Sequence, residues 1–184
     1  MRLRECSGKT TLVQKVVDAL QKNGITVQGF YTEEVRQHGK RTGFDVATLD
    51  GTRGALARVG EPHEPNARAY RVGPYTVKLH SFENIALPVL RKKPSAPCVY
   101  VIDEVGKMEM FSDSFVREVR DLLENPSTTV LTTIPVAKGK PIPFVEEIRH
   151  RKDAILYQVT KENRDQLLDK IVQSTLQSHE HNHV

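Results

Sequence analysis

Apolar residues recur along this chain in two rhythms, one helical and one strand-like. Leu12, Val13, Val16, Val17 and Leu20 fall at helical spacing and Gly24 follows as a stop, which predicts a helix over 9–23. Residues 25–32 and 43–49 read as strands linked through a Gln-His-Gly-Lys turn, a predicted hairpin. Asp50-Gly51 marks another tight turn. Residues 52–74 carry Gly54, Gly60, Pro62, Pro65, Gly73 and Pro74 and predict irregular chain, with a short strand at 75–79. Phe82, Ile85, Ala86, Val89 and Leu90 predict a helix capped by Ser81 and running to about Lys92, with Pro88 placed to kink it.

After a proline linker at 94–97, Cys98 to Ile102 is wholly apolar, the pattern of a parallel strand buried on both faces. Phe115, Val116, Val119, Leu122 and Leu123 predict a helix over 112–124. A β-branched strand is expected at 128–134, a loop at 135–143, a short helix at 144–152 and a strand at 155–159. Thr160 is the expected cap of a last helix ending near Leu176. Helices and strands alternate, which predicts an α/β fold with a mainly parallel sheet. The expected division is one domain over 1–178 and a disordered polar tail over 179–184.

Composition narrows the class. The 184 residues are 38% hydrophobic and 27% charged, ordinary for a globular domain with a sizeable core. The apolar runs reach about six residues, far short of the ~18 a membrane span needs. Met1-Arg2-Leu3-Arg4-Glu5 is not a secretory leader, and Cys6 and Cys98 form no metal or disulfide pattern, so a cytoplasmic location is expected. The net charge of +4 is scattered. Its clusters (Arg36, His38, Lys40 and Arg41; Arg149, His150, Arg151 and Lys152) read as solvated faces rather than a nucleic-acid surface.

Two motifs carry chemistry. Gly8-Lys9-Thr10-Thr11 opens the first helix and is the back half of a phosphate-binding loop. A helix N-terminus offers free N–H groups and the positive end of the dipole to a phosphate. Lys9 would reach the β- and γ-phosphates, and Thr10 would place its hydroxyl on Mg²⁺. The second motif is Val99, Tyr100, Val101, Ile102, Asp103, Glu104, Val105 and Gly106. There Asp103 emerges at the carboxyl edge of a strand, where α/β folds bind ligands. Asp103 would hold Mg²⁺ and Glu104 would act as general base toward water. The predicted nucleotide site is therefore Gly8 to Thr11 together with Val99 to Gly106. Its catalytic residues are Lys9 and Glu104, and its metal ligands Thr10 and Asp103. Lys107 either approaches the γ-phosphate or sits on the surface; Thr133 is a phosphate sensor or a ladder threonine. Arg164 is a nucleotide contact or a surface arginine, and Glu33, Glu34 and Arg36 flank the site or form a solvated hairpin.

Several stretches resemble the cancer-related nucleoside-triphosphatase family, which includes small thermophilic bacterial and archaeal enzymes. They are 29–36 (Gly-Phe-Tyr-Thr-Glu-Glu-Val-Arg), 43–46, 51–54, 101–109 (Val-Ile-Asp-Glu-Val-Gly-Lys-Met-Glu), 133–135 and 159–164. The resemblance implies a P-loop NTPase three-layer sandwich with a β-hairpin insertion. It also implies slow Mg²⁺-dependent hydrolysis of ATP, GTP, CTP and UTP to diphosphate and phosphate; a monomer is a further expectation, and the short apolar runs predict no membrane partner. The family begins with an apolar strand and a Gly-Pro-Pro-Gly-x-Gly-Lys-Thr loop. Here Met1 to Ser7 stands in their place, Leu3 where the first glycine belongs and Cys6 where another would be. The expectation is a truncated front, weak nucleotide binding and impaired hydrolysis. A phosphotransferase and a non-catalytic nucleotide-binding protein remain the competing readings.

Overall fold

The computed structural model describes residues 8–61, 70–137 and 139–182. The expectations about Met1 to Ser7 lie outside the described residues. Helix α1 covers Lys9–Lys22, with Leu12, Val13, Val16, Val17 and Leu20 all buried, as their spacing predicts. Strands β1 (Thr26–Gln37) and β2 (Lys40–Thr48) form the expected hairpin. Its turn is His38-Gly39, both at positive φ (48° and 77°), a geometry that matches the twist of the flanking strands.

The stretch expected to be irregular holds a full strand, β3 (Arg53–Val59), and a two-residue strand, β4 (Arg71–Val72), ahead of β5 (Tyr75–Val77). Gly54 hides β3 from a sequence pattern because α2 (Leu79–Arg91) packs directly over it. A Cβ there would lie 3.0 Å from both Ile85 Cγ1 and Ser81 Oγ. Ser81 is thus inside α2 rather than at its cap. Strand β6 (Cys98–Asp103) is buried throughout. A 3₁₀ turn (Glu109–Phe111) leads to α3 (Asp113–Glu124), whose first turn is capped by Ser112 accepting from the Phe115 amide at 3.0 Å. Then follow β7 (Thr129–Thr132), α4 (Pro143–Arg149) and α5 (Arg164–His181). Thr160 does not cap α5; Asn163 holds that position, and the two residues exchange side-chain bonds to each other's amides.

The strands form one sheet in the order β4-β5-β3-β2-β1-β6-β7. The fold is α/β, but the sheet is mixed rather than mainly parallel. Among the described residues only β1–β6 and β6–β7 pair in parallel. Strands β2, β3, β4 and β5 pair only antiparallel, and the β1–β2, β2–β3 and β4–β5 pairs are joined by turns too short for a parallel crossover. Along β6, Val99 and Val101 pack on the side of α1 and α5, whereas Tyr100 and Ile102 pack among α2, α3 and α4. That alternation builds three layers. No helix among the described residues is long and apolar enough to cross a membrane.

The strand expected at 155–159 does not form. Ile155, Leu156, Tyr157 and Val159 make no backbone–backbone hydrogen bond to another described residue. A cavity of about 1020 Å³ lies between them and the outer edge of β7, lined also by Leu12, Val13 and Val16 of α1 and by Ile171 of α5. A β-prone segment needs a neighbouring ladder, and this one has none within reach. Hydrogen–deuterium exchange at 155–157 is accordingly expected to be at least a hundredfold faster than at 99–102. Equal protection in peptides covering the two segments would refute this.

The polar tail expected from 179 is instead the last turn of α5 as far as His181. His179 is buried, and Asn182 donates to the Thr128 carbonyl at 3.2 Å and to Thr129 Oγ1 at 3.1 Å, which docks the helix end on β7.

Candidate active site

Gly8, with φ 72°, turns the chain into α1, and no acidic side chain sits in the first turn of that helix. Its N-terminus therefore keeps its positive potential. The parallel register sets Tyr31 beside Asp103, so β6 ends at one edge of the sheet while β1 runs on to Gln37 in its hairpin with β2. The Asp103–Glu104 peptide at that edge is cis. Lys9 Nζ donates to Glu104 Oε2 at 2.6 Å and to the Ile134 carbonyl at 3.0 Å. Thr10 Oγ1 donates to Asp103 Oδ2 at 2.5 Å, and Thr133 Oγ1 donates to Asp103 Oδ1. Residues more than ninety positions apart in sequence thus meet in one cluster.

Asp103 is almost wholly buried. Burial pushes its carboxyl up, and the charge of Glu104 adds to this, while the hydroxyls of Thr10 and Thr133 and the Lys9 charge pull it down. Tyr31 is likewise raised, first by burial and then by Asp18 and Asp103. Past the strand end, the Val105 amide donates to the Thr133 carbonyl at 2.9 Å, tying the loops after β6 and β7 together.

The sequence-predicted residues divide into two groups. Gly8, Lys9, Thr10, Asp103, Glu104 and Thr133 come together. Thr11 is exposed on α1. Val99, Tyr100, Val101 and Ile102 place their side chains in the two cores, and Val105 and Gly106 are buried behind Glu104. Arg164 opens α5 with its guanidinium beside Gly8, where an added Cβ would lie 2.7 Å from Arg164 Nη1. Lys107 is exposed and lines a separate cavity of about 360 Å³ with Arg71 and Phe111. Glu33 pairs with Arg53, and Glu34 with both Arg36 and Arg41, which makes that hairpin an ion-pair ladder.

Two participants escaped the sequence reading. The Ile134 carbonyl is invisible to side-chain patterns. Glu109 was legible only as part of a motif, although an acid between Met108 and Met110 signals a buried carboxyl. It is 2% exposed and accepts from the Gly106 amide at 3.1 Å. Burial, followed by the charge of Glu104, pushes its pKa from 4.5 up to about 8. The folded chain then keeps a proton that the unfolded chain releases. Stability therefore falls as pH rises from 4.5 through about 8. At ~1.4 kcal/mol per pH unit the effect reaches several kcal/mol. Glu109→Gln is expected to flatten that slope, read as urea midpoints at about pH 5 and about pH 9. A slope as steep as that of the unsubstituted chain would refute it.

A helix N-terminus with Gly-Lys-Thr-Thr, set against a strand ending in Asp-Glu within a three-layer α/β fold, defines the P-loop NTPase class. A family model described as NTPase matches residues 4–172, and the chain belongs to that family. It is 56% identical over 172 residues to the cancer-related nucleoside-triphosphatase of Homo sapiens, covering 90% of this chain and 89% of that one. The solution structure of a human cancer-related nucleoside triphosphatase superposes with a TM-score of 0.77, covering 91% of this chain and 90% of that one. The crystal structure of THEP1 from the hyperthermophile Aquifex aeolicus, 35% identical, also gives 0.77, with 93% and 94% covered.

Proposed function

We propose that this chain hydrolyses nucleoside 5'-triphosphates, ATP, GTP, CTP and UTP among them, to diphosphate and phosphate with Mg²⁺. The observation that supports it most is the Lys9–Glu104 ion pair at 2.6 Å, which joins the phosphate-binding lysine to the candidate base. The α1 N-terminus would receive the phosphates, and Lys9 would leave Glu104 to meet them. Glu104 would then orient a water and take its proton.

The residues fit Mg²⁺. Asp103 and Thr10 supply hard oxygen donors 2.5 Å apart, and Asp103 is a buried carboxylate that lacks a directly paired cation among the described residues. No group of three His, Cys, Asp or Glu side chains that could hold a metal exists among the described residues, which suits an ion completed by phosphates and water. The ion would neutralise phosphate charge. Leu3 at a glycine position of the loop motif leads us to propose a low rate for this form.

The test is phosphate release from the four triphosphates with Mg²⁺ and no added acceptor, comparing the chain with Lys9→Ala. At least a tenfold loss of rate is expected, about 1.4 kcal/mol in the barrier. Release that needs an acceptor would favour phosphotransfer, and no effect of Lys9→Ala would refute the site.

A further inference from the structure

We infer that Glu109 is a positioning residue that fixes the pose of Glu104 through Gly106. The inference rests on the hydrolysis reading above and deepens it.

Glu104 is held from two sides. On one, Lys9 Nζ grips Oε2 at 2.6 Å. On the other, Oε1 packs against Gly106: a Cβ there would stand 2.7 Å from Glu104 Oε1 and 3.1 Å from Glu109 Oε2. Only glycine leaves room for both carboxyl groups. Gly106 is itself pinned, its amide donating to Glu109 Oε2 at 3.1 Å and its carbonyl accepting from the Met110 amide at 3.2 Å. Glu109 is fully buried, starts the 3₁₀ turn, and has no ion-pair partner among the described residues.

The consequence appears when phosphate arrives. Lys9 swings toward the triphosphate and releases Glu104 Oε2. Among the described residues, the Gly106 side is then what restrains the carboxylate during water attack. A base that wanders by an ångström loses much of its effect. Nucleotide binding, by contrast, uses the α1 N-terminus, Lys9 and Thr10, none of which touches Glu109. The signature is therefore a loss in kcat with KM and nucleotide affinity held. The raised pKa of Glu109 agrees with a carboxyl that serves as a hydrogen-bonding group rather than as a charge.

The experiment compares Glu109→Ala, Glu109→Gln and Gly106→Ala. Each is read by steady-state phosphate release, by titration with a fluorescent ATP analogue and by exchange of the Gly106 amide. Glu109→Ala is expected to lower kcat at least tenfold with KM and affinity within about twofold, and to speed Gly106 exchange at least tenfold. Glu109→Gln, whose amide oxygen accepts the same bond, is expected to recover kcat to within about threefold and to keep the slow exchange. Gly106→Ala, which drives a methyl between the carboxyl groups, should lower kcat without weakening affinity, and it carries the test if Glu109→Ala fails to fold. Unchanged kcat in the alanine variants, parallel losses of affinity, or no recovery in Glu109→Gln would each overturn the inference. Absence of release from the unsubstituted chain would remove the hydrolysis reading alone. Gly106 exchange then decides, and identical rates in all forms would overturn the positioning role.

Discussion

Glu104→Gln is expected to lower phosphate release by about a hundredfold to ten-thousandfold, the range a positioned general base contributes. Glutamine keeps the shape of the side chain and can still accept from Lys9, but it takes no proton at neutral pH. The loss should therefore fall on kcat. Nucleotide affinity should hold or rise, because the 2.6 Å ion pair that engages Lys9 becomes a weaker neutral contact. A fluorescent-nucleotide titration beside the phosphate assay separates the two effects. Release that survives the substitution would move the base elsewhere and leave Glu104 only as a counter-ion for Lys9.

Phe82→Ala is expected to destabilise the fold by about 3–5 kcal/mol. Phe82 of α2, Phe30 of β1 and Phe115 of α3 are completely buried, and they form a triangle with ring centroids 6.0, 5.2 and 6.1 Å apart. The Phe82 contacts are edge-on, with interplanar angles of 82° and 68°, geometries that contribute ~0.5–1.5 kcal/mol per pair beyond burial. Domains of this kind are stable by only ~5–15 kcal/mol, so one truncation removes a large share. Phe30 pairs in register with Ile102, next to the Tyr31–Asp103 pair, so loosening this core also loosens the edge that carries the site. Guanidinium unfolding of the two forms reads the cost. A change under about 1 kcal/mol would mean that the neighbouring Ala86 and Leu90 repack into the space.

The places where sequence and structure part company have specific causes. Strand β3 was hidden because Gly54 and the arginines at 53 and 58 break the strand-like alternation. Its conformation comes from β2 beside it, from α2 above Gly54, and from Asp45, which pairs with both arginines. The segment 155–159 failed in the opposite way, having strand composition without a ladder partner. The three histidines near the C-terminus read as a solvated tail, yet a dock on β7 orders the helix through His181, a contact no local pattern encodes.

Local sequence by itself determined the buried faces of α1 and α3, the His38-Gly39 turn, the doubly buried β6 and the places of the Gly-Lys-Thr-Thr and Asp-Glu motifs at a helix start and a strand end. Each depends on periodicity, φ preference or burial of a few neighbouring residues, and short-range physics expresses these directly. Only the tertiary structure decided that the sheet is mixed, that the Ile134 carbonyl meets Lys9, that Thr133 donates to Asp103, and that Glu109 lies sealed behind Glu104. Those outcomes depend on which chain segments the fold sets side by side, from the 30 residues between Asp103 and Thr133 to the 125 between Lys9 and Ile134, and no local preference carries that information.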